Sequence, residues 1–128
     1  MPIHVIRLGS ARLADEGLRL GTVRRSPRGV RKEDIARKHW YDLWLPQLAP
    51  SAELVSVAQS AGDARQWDIF ARKYRKEMSA PDTARLIALL AALSHTTNLA
   101  VGCYCEDETR CHRSILRELL AEEGAVLQ

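Results

Sequence analysis

Residues 99–120 read LAVGCYCEDETRCHRSILRELL, and this stretch decides the fold. Leu99 to Cys105 is apolar or small at almost every position, without the alternation of a half-exposed strand. That pattern belongs to a strand covered on both faces, hence to the middle of an α/β sheet. The second half places Ile115, Leu116, Leu119 and Leu120 at helical spacing, so a helix is expected from about Thr109 to Glu123. Thr109 is the expected N-cap and Gly124 the stop. All three cysteines of the chain, Cys103, Cys105 and Cys111, fall where strand meets helix.

Working outward, Ile3 to Leu8 is short, rich in β-branched residues and closed by Gly9-Ser10, which reads as a first strand. Leu18 to Val23 alternates and follows the turn-like Ala14-Asp15-Glu16-Gly17, a second strand. Pro27 and Gly29 should interrupt regular structure after it. Arg31 to Trp40 reads as helical, with Ile35, Ala36 and His39 or Trp40 turned inward. Tyr41 to Leu54 holds Pro46 and Pro50 and reads as an ordered connection, followed by a short helix capped by Ser51. From Asp63, residues Trp67, Phe70, Ala71, Tyr74 and Met78 mark one face of a helix. Ser79 and Pro81 then restart the chain into a helix whose buried stripe is expected at Leu86, Leu89, Leu90 and Leu93. Ala125 to Gln128 could add a last short strand. The pattern describes one α/β domain over residues 1–128, a small, mostly parallel sheet covered by helices.

A chain of 128 residues is long enough to bury a core without disulfide staples. An odd number of cysteines and the lack of an apolar leader after Met1 argue against a disulfide-built secreted module and for a cytoplasmic setting. No apolar run approaches the ~20 residues of a membrane span, so no membrane partner is expected. The net charge of +3 is modest, but seven cations lie between Arg24 and Lys38 against two acids, Glu33 and Asp34. This local excess exceeds the charge of the whole chain, so the basic character belongs to one segment.

Alternation along a strand points Cys103 and Cys105 to the same side. In open α/β sheets, ligands gather at the C-terminal ends of strands, where Cys105 should lie. Cys111 and His112 fall in the first turn of the following helix, where backbone N–H groups favour a thiolate or a bound anion. Arg110, His112 and Arg113 add to that field, while Glu106, Asp107 and Glu108 oppose it. The candidate catalytic residues are therefore Cys105, Cys111 and His112. Arg25, Arg28 and Arg113 are the candidate ligand-binding residues. Cys103, in mid-strand, reads as a small core residue.

No metal or other cofactor is expected. The four donors Cys103, Cys105, Cys111 and His112 are of the type zinc takes, but paired C-x2–4-C knuckles are absent. Consecutive residues on a helix also diverge by about 100°, which would part Cys111 from His112. A reversible Cys105–Cys111 disulfide is more economical. Cys111 and Arg117 have the spacing of a phosphatase loop, but no glycine lies between them and Ile115 and Leu116 belong to the buried stripe.

The run Arg25 to Glu33, then Asp42 to Leu54, then Trp67-Asp68-Ile69-Phe70 with Tyr74 and Glu77, resembles the YeaO-like proteins of family DUF488. Cys105-Glu106 followed by Cys111-His112-Arg113 is similar to the cysteine signature of much of that family. The resemblance covers nearly the whole chain and implies a compact α/β domain, but it brings no agreed activity. Ser26 stands where the family pattern has a tryptophan, and Gln59 to Gly62 lacks the usual Gly-His.

Two functions from different classes fit these residues. The first is a thiol-dependent enzyme or redox protein in which Cys105, Cys111 and His112 act on an anionic small molecule held by Arg25, Arg28 and Arg113. It requires the loop after Val23 and the loop after Cys105 to leave the sheet at one edge. The second is a nucleic-acid or phosphorylated-ligand binding module that uses segment 24–38, with Trp40, Tyr41 and Trp44 available to stack. A protein with a thiol-lined core and no ligand is a third.

Overall fold

The structure, a computed structural model, describes residues 2–60, 62–105 and 107–128. Its sheet has four strands, β1 (Ile3–Arg7), β2 (Leu18–Gly21), β3 (Leu43–Trp44) and β4 (Leu99–Cys103), in the order β1-β4-β2-β3. Every pairing is parallel, with Ile3 and Leu18 on either side of Leu99. β4 is central and buried at all five positions, as its unbroken apolar run requires. Residue 102 must be glycine in such packing, since a Cβ there would stand 2.6 Å from Leu8 Cδ2 and 3.0 Å from the Ile6 carbonyl oxygen. Leu127 adds a single parallel bridge to Ile3 after Gly124, whose φ of 85° ends the last helix.

Four helices complete the domain: α1 (Ala52–Ser60), α2 (Ala64–Met78), α3 (Pro81–Leu93) and α4 (His112–Glu122). Ser51 caps α1 by accepting from Leu54 N–H at 3.3 Å, and Asp63 caps α2 by accepting from Gln66 N–H at 2.8 Å. Phe70, Tyr74 and Met78 of α2, Leu90 of α3 and Ile115, Leu116 and Leu120 of α4 meet Leu20, Leu99 and Val101 in the main core. A second, smaller cluster joins Leu8, Val23, Tyr41, Cys103 and Cys111 beneath the C-terminal ends of the strands.

Several local expectations are corrected. Residues 31–40 form a 3-10 turn at Lys32–Asp34 and further turns, not a continuous helix. Asp34 pairs with Arg31, Arg37 and Lys38 at spacings a helix would also allow, and the turns end where His39 takes a φ of 65°, outside the helical region. Ala36 and His39 are exposed, leaving Ile35 and Trp40 as the half-buried residues there. β3 went unseen because two exposed residues carry no alternation. In α3 the buried positions are Ile87, Leu90 and Ala91, and Leu89 is 53% exposed. Ala80 rather than Ser79 precedes that helix, and the Ser79 hydroxyl donates back to the Lys76 carbonyl.

The strand at Leu99 ends at Cys103, not Cys105, and α4 begins one turn later than expected. Thr109 does not cap it. Its hydroxyl donates to Asp107 Oδ1 at 2.6 Å within a 3-10 turn over Glu108–Arg110, and Cys111 takes the N-cap position. Glu106 lies outside the described residues, as does Ala61.

Candidate thiol and histidine site

Because all strands run the same way, the chain leaves β1, β2 and β4 at one edge of the sheet. The ladders continue past the strands: Leu8 N–H donates to the Cys103 carbonyl at 2.8 Å and Thr22 N–H to the Gly102 carbonyl at 3.0 Å. The basic loop is thereby carried to the cysteines. Tyr104 ties the two together, its hydroxyl donating to the Arg25 carbonyl at 2.8 Å. Between them opens a cleft of about 620 Å³ whose walls include Arg25, Arg28, Arg110, Cys103, Cys105, Cys111 and His112, with Val23, Val55 and Phe70 as apolar floor.

The sulfurs occupy distinct environments. Cys105 is exposed, whereas Cys103 and Cys111 are buried. Cys103 and Cys105 bring their sulfurs to 3.8 Å of each other, although β4 has already ended at Cys103. Donation from the Cys103 thiol, then from Cys111, favours the Cys105 thiolate; the Arg113 charge adds to this, burial opposes it, and the thiol lies well below its ordinary value. Cys103 is pushed up, because its proton is engaged by Cys105 and Cys111 and because it is buried. Cys111 is lowered, chiefly by Cys103, with His112 assisting. The cluster thus holds one negative charge on its exposed member more readily than elsewhere.

His112 is buried at the first position of α4. Its Nε2 lies 2.7 Å from the Thr22 carbonyl and 3.1 Å from Thr22 Oγ1, and its Nδ1 lies 3.7 Å from Cys111 Sγ. A carbonyl oxygen only accepts, so Nε2 carries the proton and Nδ1 offers its lone pair to Cys111. The expected divergence of Cys111 and His112 does not arise, because the N-cap backbone at Cys111 is extended (φ −124°, ψ 150°) and outside the helical screw. Among the described residues, Cys103, Cys111 and His112 bring their ligand-type atoms within 4.8 Å of one another, a group of a kind that could hold a metal ion.

Arg113 is 3% exposed, and no acidic side chain among the described residues pairs with it. Its guanidinium donates to the Ile6 and Cys105 carbonyls, each at 2.6 Å, and its Nε finds no acceptor among the described residues. It clamps the backbone behind Cys105 instead of lining the cleft. Arg117 donates to Gln128 O, away from Cys111, which removes the phosphatase geometry. Three contributors stand outside the candidate residues named from the sequence. Arg110 lines the cleft, Tyr104 joins the loops and Thr22 orients His112. Only Arg110 left a signal, as a cation beside Cys111.

Fold and site together define a small parallel α/β protein with a thiol and histidine cluster at the C-terminal edge of its sheet. The family model described as the active DUF488-N3 subclade, DUF488-N3a, matches residues 3–124, and the chain belongs to that family. No curated protein and no solved structure matches it.

Proposed function

We propose that the chain is a thiol-dependent enzyme or redox protein acting on a small anionic ligand, with Cys105 as the reacting group. One observation carries this reading. The exposed thiol opens onto the same cleft as Arg25, Arg28 and Arg110, whose guanidiniums have no ion pair among the described residues. Cationic walls around a concave, partly apolar space raise the local concentration of anions. Cys105 Sγ then supplies an electron pair to an electrophilic atom of the bound ligand, and that atom's leaving group departs with its own pair. Buried Cys103 and Cys111 favour the charged sulfur from behind, and the Arg113 charge adds to them. Three free thiols suit a reducing, cytoplasmic setting.

The nucleic-acid reading loses support from the same geometry. Arg24 spends its guanidinium on the Ala49 and Pro50 carbonyls, and Arg31, Arg37 and Lys38 surround Asp34. Trp44 donates its indole N–H to the Val23 carbonyl, and Trp40 packs edge-on against Tyr104. These pairings leave Arg25, Arg28 and Lys32 as the cations of the segment with neither an ion pair nor a side-chain bond to a carbonyl among the described residues, and the two arginines line the thiol cleft.

Limited alkylation with iodoacetamide, followed by peptide mapping, tests the thiol assignment. Cys105 should take most of the label, and Cys105→Ser should abolish the fast phase. Faster labelling of Cys103 or Cys111 would refute it.

A further inference from the structure

In the wall of the cleft, the two buried cysteines and the histidine gather as a second unit beside the exposed thiol. We propose that Cys103, Cys111 and His112 are a zinc site with three protein ligands and a fourth position open to the cleft. The distances suit the ion. Tetrahedral zinc with Zn–S of about 2.3 Å and Zn–N of about 2.0–2.1 Å sets a sulfur-to-nitrogen edge of about 3.6 Å. Cys111 Sγ and His112 Nδ1 stand 3.7 Å apart. The largest separation within the set is bounded at 4.8 Å, so closure around an ion needs only side-chain adjustments of about an ångström.

The histidine is prepared for the same task. Its Nε2–H is engaged by the backbone carbonyl and hydroxyl of Thr22, which fixes the ring and leaves the Nδ1 lone pair facing the sulfurs. Metal-bound imidazoles are held in this manner, with the far ring nitrogen donating to a carbonyl or carboxylate. All three ligands are buried, so charge decides which ion is tolerated. Two thiolates and a neutral imidazole cancel a divalent cation, whereas a monovalent soft ion would leave a buried negative charge. Binding releases the two thiol protons to solvent and changes no oxidation state.

The fourth position is not assigned to Cys105. Its Sγ stands 3.8 Å from Cys103 Sγ, a separation tetrahedral zinc would accept, but the residue is exposed on the cleft wall with the arginines and is not among the three buried donors that gather within 4.8 Å. Three protein ligands with one open position is the arrangement of a catalytic rather than a structural zinc site, and the ligand expected there is water or the anion that Arg25 and Arg28 attract. The proposal shares Cys103 and Cys111 with the thiol reading and rests on it only for the anion drawn to the open position; metal binding by the Cys105→Ala chain and alkylation of Cys105 in the metal-free chain report on the two separately.

Titration of the reduced, metal-free chain with Co²⁺ tests the proposal directly. The expected result is one equivalent bound, with the intense visible bands of a tetrahedral thiolate complex, bleached when Zn²⁺ is added. Cys103→Ala, Cys111→Ala and His112→Ala should each weaken binding at least about a hundredfold, because loss even of an outer-shell partner costs about 10–100-fold. Cys105→Ala should bind within about threefold of the parent. A pale octahedral spectrum from the parent chain would overturn the proposal without recourse to any variant. So would unchanged binding in folded Cys103→Ala or Cys111→Ala, judged by circular dichroism, or loss of binding in Cys105→Ala.

Discussion

Replacing Arg113 by lysine keeps the charge and removes the fork. Arg113 sits 3% exposed and donates to two carbonyls, Ile6 at the end of β1 and Cys105 in the loop after β4, at 2.6 Å each. A lysine ammonium is a point donor and can keep one of these bonds in that space, not both. Hydrogen bonds from a charged group contribute about 1.5–3 kcal/mol each, and the Cys105 carbonyl, nearer the surface, can recover part of its loss through water. The expected destabilisation is therefore about 2 kcal/mol, or roughly 8 °C in melting temperature for a domain of this size. Urea unfolding at neutral pH measures the first and a thermal scan the second. The loop that carries Cys105 should also lose its register with Cys103, so alkylation spreads from Cys105 to the buried thiols. A change below about 0.5 kcal/mol, in the range of an ordinary surface substitution, would refute the clamp.

Arg19 is fully buried, pairs with both oxygens of Glu16 at 2.7 Å and also serves the Ser10 and His39 carbonyls. Arg19→Met should cost about 3–5 kcal/mol by stranding the Glu16 charge, and Glu16→Leu on top of it should restore part of the loss; a single variant within about 1 kcal/mol of the parent would contradict this. Burial alone would raise the carboxyls of Glu16 and Asp42, but bonds from Arg19 and Arg12 more than offset it and both titrate below their ordinary values. Folding therefore draws stability from them that is complete above about pH 5 and lost as pH falls below about 4 through the folded values. Urea midpoints followed downward from neutral pH should decline over that window, and Glu16→Gln should flatten the decline; an unchanged midpoint would oppose the assignment.

The parts of the fold set by periodic burial were legible in the sequence. The unbroken apolar run at Leu99 announced a central strand, and the spacing of Phe70, Tyr74 and Met78 announced α2. The site was legible to the extent that parallel topology dictates it. The loops after β2 and β4 meet over one cleft, where the sulfurs of Cys103 and Cys105 come to 3.8 Å of each other. What could not be read depended on single polar groups and cap geometry. Residues 31–40 stop short of a helix, with a left-handed φ of 65° at His39 that no periodicity announces. Cys111 stands just outside the helical screw, so helical spacing misjudges its relation to His112. Arg113 belongs to the backbone carbonyls, a role no charge pattern reveals.

Everything functional rests on the cationic loop and the exposed sulfur serving one space. The ratio of Cys105 alkylation rates with iodoacetate and with iodoacetamide measures this, because the two reagents differ chiefly in charge. Attraction of about 1 kcal/mol would raise the ratio about fivefold over that of an uncharged model thiol. The ratio should fall toward the model value in Arg25→Ala/Arg28→Ala and in added salt. A ratio at or below the model value, indifferent to the arginines and to salt, would contradict the account.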